Sequence, residues 1–348
     1  MENRAEFRRR IRGVQDYLSE KNIGALTVSS EKNLAYLFGV GTGRAVVTED
    51  SCVLWVREVY LGVYASLFER APYSVRVYRP QAVERYVRRL APARMAFEDL
   101  PCMQLKVLKR KFGVGRVVVV DVVERLRMVK SPYEVSMLRA SASIAKVGLR
   151  RAHEVVAEGV RELDAVAEIE AAIRRAGSET PPFEGGMILA GGAHGADIHA
   201  RPSTRKIGRG LVVVDLGARF AGYHSDLSRT LSVGALTRAE RVVLEAVASI
   251  RDESVDRLCV GVKASEVAAY AEKRIEGLGY HFHHALGHGV GLDIHEKPSL
   301  SPQSKDVLTE GMVFTIEPGI YVPGRFGVRF EDTIHLTARG PKNLTESP

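Results

Sequence analysis

The sequence predicts two parts: an α/β domain over residues 1–125, then an α+β domain over residues 126–348 built from two copies of one unit, related as a pseudo-twofold duplication. Three observations lead there. Short apolar strands alternate with helical patterns through the first third of the chain, as in a layered α/β domain. A helix start signal follows at Ser131, Pro132 and Glu134. Finally, residues 158–177 repeat at 260–279.

In the first part, strands are expected at GALTV (24–28), RAVVT (44–48), CVLWV (52–56), SVRVY (74–78) and VVVV (117–120). Helical patterns run over 2–20, 58–70 and 81–90. Ser131 as N-cap, Pro132 at the first helical position and Glu134 at the third then make a capping box, which opens a long helix over 133–157.

In the second part, EGVRELDAVAEIEAAIRRAG (158–177) lies above VGVKASEVAAYAEKRIEGLG (260–279) at an offset of 102. Gly159 falls on Gly261, Val160 on Val262, Ala167 on Ala269, Glu170 on Glu272, Ile173 on Ile275 and Gly177 on Gly279. Long helical patterns, 133–157 and 238–258, precede both copies. The same offset sets VVVDLG (212–217) on FTIEPG (314–319), so Asp215 matches Glu317. HSDLSRTL (224–231) stands opposite RFEDTIHL (329–336), with Asp226 against Glu331 at an offset of 105, as if the second hairpin held three extra residues.

One strand carboxylate is ordinarily explained by an edge position or an ion pair. Four on two matched pairs of strands need another account. Drawn into a partly dry site, four ionised carboxylates repel one another and lose hydration, at several kcal/mol per ion unless they protonate or find cations. Two divalent metals neutralise the set, and oxygen ligands favour Mn²⁺, Co²⁺, Fe²⁺ or Zn²⁺. The three cysteines, Cys52, Cys102 and Cys259, lie far apart, so neither a thiolate metal site nor a disulfide framework is expected. YHFHHALGHGVGLDIHEKP (280–298) supplies His281, His283, His284, His288 and His295 in a glycine-rich segment. His288, between Gly287 and Gly289, is the best ligand candidate, whereas His281 and His283 suit the surface. GGAHGADIHARPS (191–203) adds His194 and His199 on a loop that suits a substrate-facing role.

Composition bounds the remaining function classes. With 348 residues, 45% hydrophobic side chains and a mean hydropathy of −0.07, the chain is expected to be a soluble globular protein. The charged start MENRAEFRRRIRG and the short apolar runs argue for the cytoplasm and against a membrane. The net charge of +8 raises nucleic-acid binding. Residues 1–130 hold 24 Lys and Arg against 14 Asp and Glu, but scattered and without interleaved aromatics, so a solvated basic surface is the better reading. Four asparagines and four glutamines among many charges resemble heat-adapted compositions.

VVVDLG, SDLSRT, HALGHGVGLDIHE, FTIEPGIYV and GVRFEDT, in this order, resemble the signatures of the pita-bread metallopeptidases, the family of methionine aminopeptidase, aminopeptidase P and Xaa-Pro dipeptidase. NLAYLFGVGTGRAVV (33–47) and LRMVKSPYEVSMLRAS (126–141) extend the resemblance to the proline-specific members, with their creatinase/prolidase-type N-terminal domain. The resemblance implies that Asp215, Asp226, His288, Glu317 and Glu331 ligate two divalent metals per subunit, manganese or cobalt first, zinc or iron otherwise. Asp226 and Glu331 would bridge the metals, Asp215 would complete one site, and His288 with Glu317 the other. A hydroxide bridged by the metals would attack the carbonyl before proline, with Glu317 moving its proton. His284, His295 and His199 match residues that steady the intermediate and meet the proline side; Arg329 matches a substrate-supporting arginine and Tyr321 a supporting tyrosine. Ile198 departs from the proline common before His199 in prolidases. The implied activity is an Xaa-Pro dipeptidase acting on dipeptides or short proline-containing peptides, as a homodimer without nucleic-acid or membrane partners. The alternatives are an Xaa-Pro aminopeptidase on longer peptides and a non-enzymatic interaction module.

Overall fold

A computed structural model describes residues 4–98, 101–181, 183 and 185–346. The chain forms two compact units, Met1–Arg127 and Met128–Pro348.

The first unit is a mixed six-stranded sheet in the order Ser74–Val77, Cys52–Val56, Arg44–Val47, Ala25–Val28, Met95–Phe97, Val117–Val119. Ala25–Val28 runs antiparallel to Arg44–Val47 and parallel to Met95–Phe97. The five strands expected from sequence are present. The helix expected over 2–20 is Arg4–Glu20, with positions 2 and 3 outside the described residues. It buries Phe7, Ile11, Val14 and Leu18, one stripe at helical spacing. Sequence reading merged Val59–Val63 and Ala65–Phe68 into one helix and missed five elements: Glu31–Phe38, Met95–Phe97, Cys102–Phe112, the short 3-10 turn Val114–Arg116 and Val122–Met128. Cys102–Phe112 fully buries no residue and packs only the partly buried Leu105, Leu108 and Phe112 against the core.

The second unit begins with the expected capping box: Ser131 Oγ accepts from Glu134 N, and the Glu134 carboxylate accepts from Ser131 N. Two helices, Pro132–Val155 and Glu162–Arg175, cover a sheet of Ile188–Gly191, Gly210–Phe220 and Tyr223–Val233. Arg238–Val255 and Ala264–Glu276 repeat the arrangement over the sheet that contains Gly287–Gly289, Val313–Ile316 and Asp332–Thr337. A second capping box, Thr237 with Glu240, starts the third of these helices.

The duplication extends to single hydrogen bonds. Gly159 N donates to Ile207 O and Gly261 N to Leu308 O; Ile207 N returns a bond to Val160 O, and Leu308 N to Val262 O. Gly159 and Gly261 both have positive φ, 88° and 94°, as do Gly177 and Gly279 at 109° and 83°. The matched glycines recur because the same left-handed turns recur. The EGVR and VGVK segments thus lie before the helices, in extended backbone that pairs at Arg161↔Lys206 and Lys263↔Val307.

The hairpin register corrects one inference from the offsets. The first hairpin closes at Phe220↔Tyr223 and the second at Val322↔Phe326, so the second turn is longer by one residue, not three. Gly217 lies opposite Asp226, and its counterpart Gly319 lies opposite Arg329. Arg329 therefore occupies the position equivalent to Asp226, and Glu331 is equivalent to Ser228. These last two meet: Ser228 and Glu331 form an antiparallel bridge between the halves, so equivalent positions touch near the pseudo-twofold axis.

Candidate active site

Glu317 is not inside a strand. Val313–Ile316 ends one residue earlier and the chain resumes as Gly319–Val322, so Glu317 and Pro318 form a break. The break is fixed by Glu317 N, which donates to Leu286 O at 2.8 Å. Leu286 leads into Gly287–Gly289, which carries His288. The glycines beside His288 serve strand packing rather than ligand approach. A Cβ at Gly287 would lie 1.9 Å from Thr315 O and one at Gly289 2.1 Å from Lys297 O. Gly287→Ala is expected to destabilise the catalytic unit by about 1–3 kcal/mol, a loss of melting temperature measurable by calorimetry; an unchanged melting temperature would show that the strands part freely.

Asp215 lies in Gly210–Phe220, Asp226 in Tyr223–Val233, and Glu331 next to Asp332–Thr337. Ligand atoms of Asp226, His288 and Glu331 all fall within 4.8 Å of one another. His288 Nε2 stands 3.4 Å from Glu317 Oε1 and 3.7 Å from Asp226 Oδ2. Asp215 is turned aside to Arg329, whose Nη2 donates to its Oδ2. The same guanidinium donates to Ser228 Oγ at 3.0 Å, Tyr321 Oη at 3.0 Å and Ile198 O at 3.2 Å. Ser228 Oγ in turn donates to Glu331 Oε2 at 2.8 Å. Ser228 and Thr315 escaped sequence reading, since hydroxyls in apolar strands give no signal until their partners are known. Arg329 is 3% exposed.

Electrostatics show what the site lacks. Burial pushes the Glu317 carboxyl up to about 7, and burial with the Asp215 and Glu317 charges pushes Asp226 well above the usual range. Glu331 is raised by burial and then by Asp226. Asp215 Oδ1, Asp226 Oδ1 and Glu331 Oε1 are buried without a hydrogen-bond partner. Burial lowers His288 to about 3, so the ring is neutral. Its Nδ1 donates to Gly289 O at 3.2 Å, which leaves the Nε2 lone pair facing two carboxylates. A lone pair aimed at carboxylate oxygens is repulsive unless a proton or a metal cation lies between them. The donor set of carboxylates and one neutral imidazole therefore fits hard or borderline divalent ions.

His284 is lowered by burial to about 4. Its Nδ1 donates to Ala285 O at 2.8 Å, and its Nε2 accepts from Tyr321 Oη at 3.0 Å. His295 meets His288 edge-on, with ring centroids 4.2 Å apart and an interplanar angle of 68°. The ligand candidates, His284, His295 and His199 line one cavity of about 400 Å³, with Phe183, Met187 and Ile294 on its apolar side. His194 is not among the lining residues; its Nδ1 is 2.9 Å from Glu162 Oε1. His281 and His283 are exposed.

The class that this fold and this nest of candidate ligands define is a metallopeptidase. The chain belongs to metallopeptidase family M24, which residues 136–338 match, while residues 10–129 match the Creatinase/Prolidase N-terminal domain. The Xaa-Pro dipeptidase of Pyrococcus horikoshii is 33% identical over 347 residues, covering 97% of each chain. The crystal structure of the prolidase from the same organism superposes with a TM-score of 0.88 at 32% identity, covering 98% of this chain and 99% of that one. An Xaa-Pro dipeptidase from Bacillus anthracis superposes at 0.91 with 28% identity, covering 98% of each. The expected two-domain pita-bread architecture holds over the whole length of these relatives. Membership in a metallopeptidase family implies divalent metal ions. Among the described residues no helix is long and apolar enough to cross a membrane.

Metal binding here must displace protons. Because the Glu317 carboxyl is raised to about 7 instead of 4.5, protons compete from neutrality downward. Affinity for Mn²⁺ is expected to fall below pH 7 by roughly tenfold per unit for each proton displaced. Calorimetric titrations between about pH 5.5 and 8 test this; a flat affinity would mean that the carboxyls are ionised without metal.

Proposed function

We propose that this chain is a metal-dependent peptidase that hydrolyses the bond before proline, acting as an Xaa-Pro dipeptidase. The observation that carries it is the group of buried Asp215, Asp226 and Glu331 with half-buried Glu317 and neutral His288, opening on a cavity with an apolar side. Relatives of the same length named Xaa-Pro dipeptidase support the substrate. In this reading residues 1–125 are the N-terminal domain and 126–348 the catalytic one, in a cytoplasmic homodimer without nucleic-acid or membrane partners.

Asp215, Asp226, His288, Glu317 and Glu331 would hold two divalent ions, manganese or cobalt before zinc or iron. When bound, the ions polarise the scissile carbonyl and lower the pKa of the attacking water. Glu317 holds a proton near neutrality, because burial raises its carboxyl to about 7. Thr315 Oγ1, 3.4 Å away, steadies the Oε1 oxygen. Arg329 holds Asp215 and orients Tyr321, whose hydroxyl engages His284. With both His284 nitrogens engaged, His199 and His295 are the rings more open to the proline side and the developing oxyanion.

Protein loaded with Mn²⁺ or Co²⁺ and offered Met-Pro, Leu-Pro and Leu-Pro-Gly tests the reading. Cleavage of the dipeptides is expected. Efficient cleavage of the tripeptide would make the enzyme an Xaa-Pro aminopeptidase, and cleavage of none would leave a non-enzymatic module.

A further inference from the structure

A free dipeptide differs from a longer substrate in one charge. Its terminal carboxylate lies three bonds from the scissile carbon, where an extended peptide carries a neutral amide. A site that selects dipeptides needs a cation at that distance. The cavity offers two arginines and no lysine among its described lining residues. Arg329 is spent, with hydrogen bonds to Asp215, Tyr321, Ser228 and Ile198 O. Of the lining histidines, His284 has both ring nitrogens engaged, by Ala285 O and Tyr321 Oη, and His288 Nε2 faces Glu317 and Asp226. Arg201 is different. It lines the same cavity and is exposed, with no hydrogen bond or ion pair to any described residue. A Cβ built at Gly185 would lie 3.7 Å from its Nη2, 3.8 Å from Nη1 and 3.9 Å from Cζ. The guanidinium therefore lies within van der Waals reach of Gly185, which offers it no side-chain polar partner. Arg201 follows His199 by two residues on the same loop.

We propose that Arg201 receives the free carboxylate of the substrate's terminal proline through its guanidinium, and that this contact makes the site prefer dipeptides. The inference rests on the Xaa-Pro peptidase reading above. A guanidinium fork matches a carboxylate with two parallel hydrogen bonds. The apolar side of the cavity meets the pyrrolidine ring, and Arg201 fixes the end of the molecule beyond it. A blocked or extended substrate loses this bond and gains nothing in exchange.

The test compares Leu-Pro with Leu-Pro-amide and Leu-Pro-Gly on the Mn²⁺-loaded protein and on the Arg201→Ala and Arg201→Lys variants, with melting temperature as the check on folding. The wild type is expected to prefer Leu-Pro over its amide. Arg201→Ala is expected to raise KM for Leu-Pro about tenfold to a hundredfold, with a smaller change in kcat, and to collapse the dipeptide-over-amide preference. Arg201→Lys, which keeps the charge and loses the fork, is expected to restore part of it. A preference that Arg201→Ala leaves within about twofold, or a wild type that takes the amide and the tripeptide as readily as the dipeptide, overturns the assignment and leaves the peptidase reading standing. Cleavage of none of the three by the wild type overturns both.

Discussion

Glu317→Gln is expected to lower kcat on Leu-Pro about 10²- to 10⁴-fold and to weaken metal binding, while the protein stays folded. Glutamine keeps the volume and the oxygen that faces Thr315, and removes the charge and the exchangeable proton. Metal-free stability gives the variant a second signature. The Glu317 carboxyl is raised in the fold to about 7 from 4.5, so between those pH values the folded state binds more protons than the unfolded chain. Its contribution is fully present below about pH 4.5 and is lost as pH rises through about 7. His284 and His288 act the opposite way, because their lowered values make folding weaken as pH falls below 6.5. The difference between wild type and variant isolates Glu317: without metal, Glu317→Gln should gain relative stability as pH rises from about 5 to 8. A variant with near-normal turnover would remove Glu317 from the chemistry.

Arg329→Lys is expected to cost more stability than any other single change at the site. Lysine keeps the charge but cannot reach Asp215, Ser228, Tyr321 and Ile198 O together. With Arg329 3% exposed and Asp215 9% exposed, a lysine that turns to the other partners leaves the carboxylate without its charge partner in a dry place. Breaking such a pair costs about 3–5 kcal/mol, which for a unit of this size is roughly 6–20 °C in melting temperature. Activity should fall with it, because Tyr321 and His284 lose their support. Added Mn²⁺ should recover part of the lost melting temperature, since Asp215 Oδ1 is already without a partner. A melting temperature within about 2 °C of wild type would contradict the central position given to Arg329.

The duplication was legible because its glycines are conformationally forced: Gly159 and Gly261 hold the same positive φ. Asp215 and Glu317 were legible for the same reason, since the offset carries through the first strand of each hairpin. It fails beyond the turn, where one inserted residue shifts every later pair. Glu331 then matches Ser228 and not Asp226, and only the ladder shows it. Met95–Phe97 was invisible because three residues give no period, and Glu31–Phe38 because its eight residues span barely two turns. The partners of Arg329 lie as far as 131 positions away, at Ile198. Arg201 carries no sequence signal beyond one basic residue on a loop. Its meaning comes from the cavity that it enters and from the commitments of Arg329.

The most direct measurement is a titration of metal-free protein with Mn²⁺ that records bound metal and Leu-Pro hydrolysis in the same samples. Two ions bound per chain are expected, with hydrolysis rising as the sites fill and lost again on chelation. Full hydrolysis by protein without bound metal, or metal binding left intact after Asp226→Asn and Glu331→Gln, would contradict a two-metal centre built from these residues.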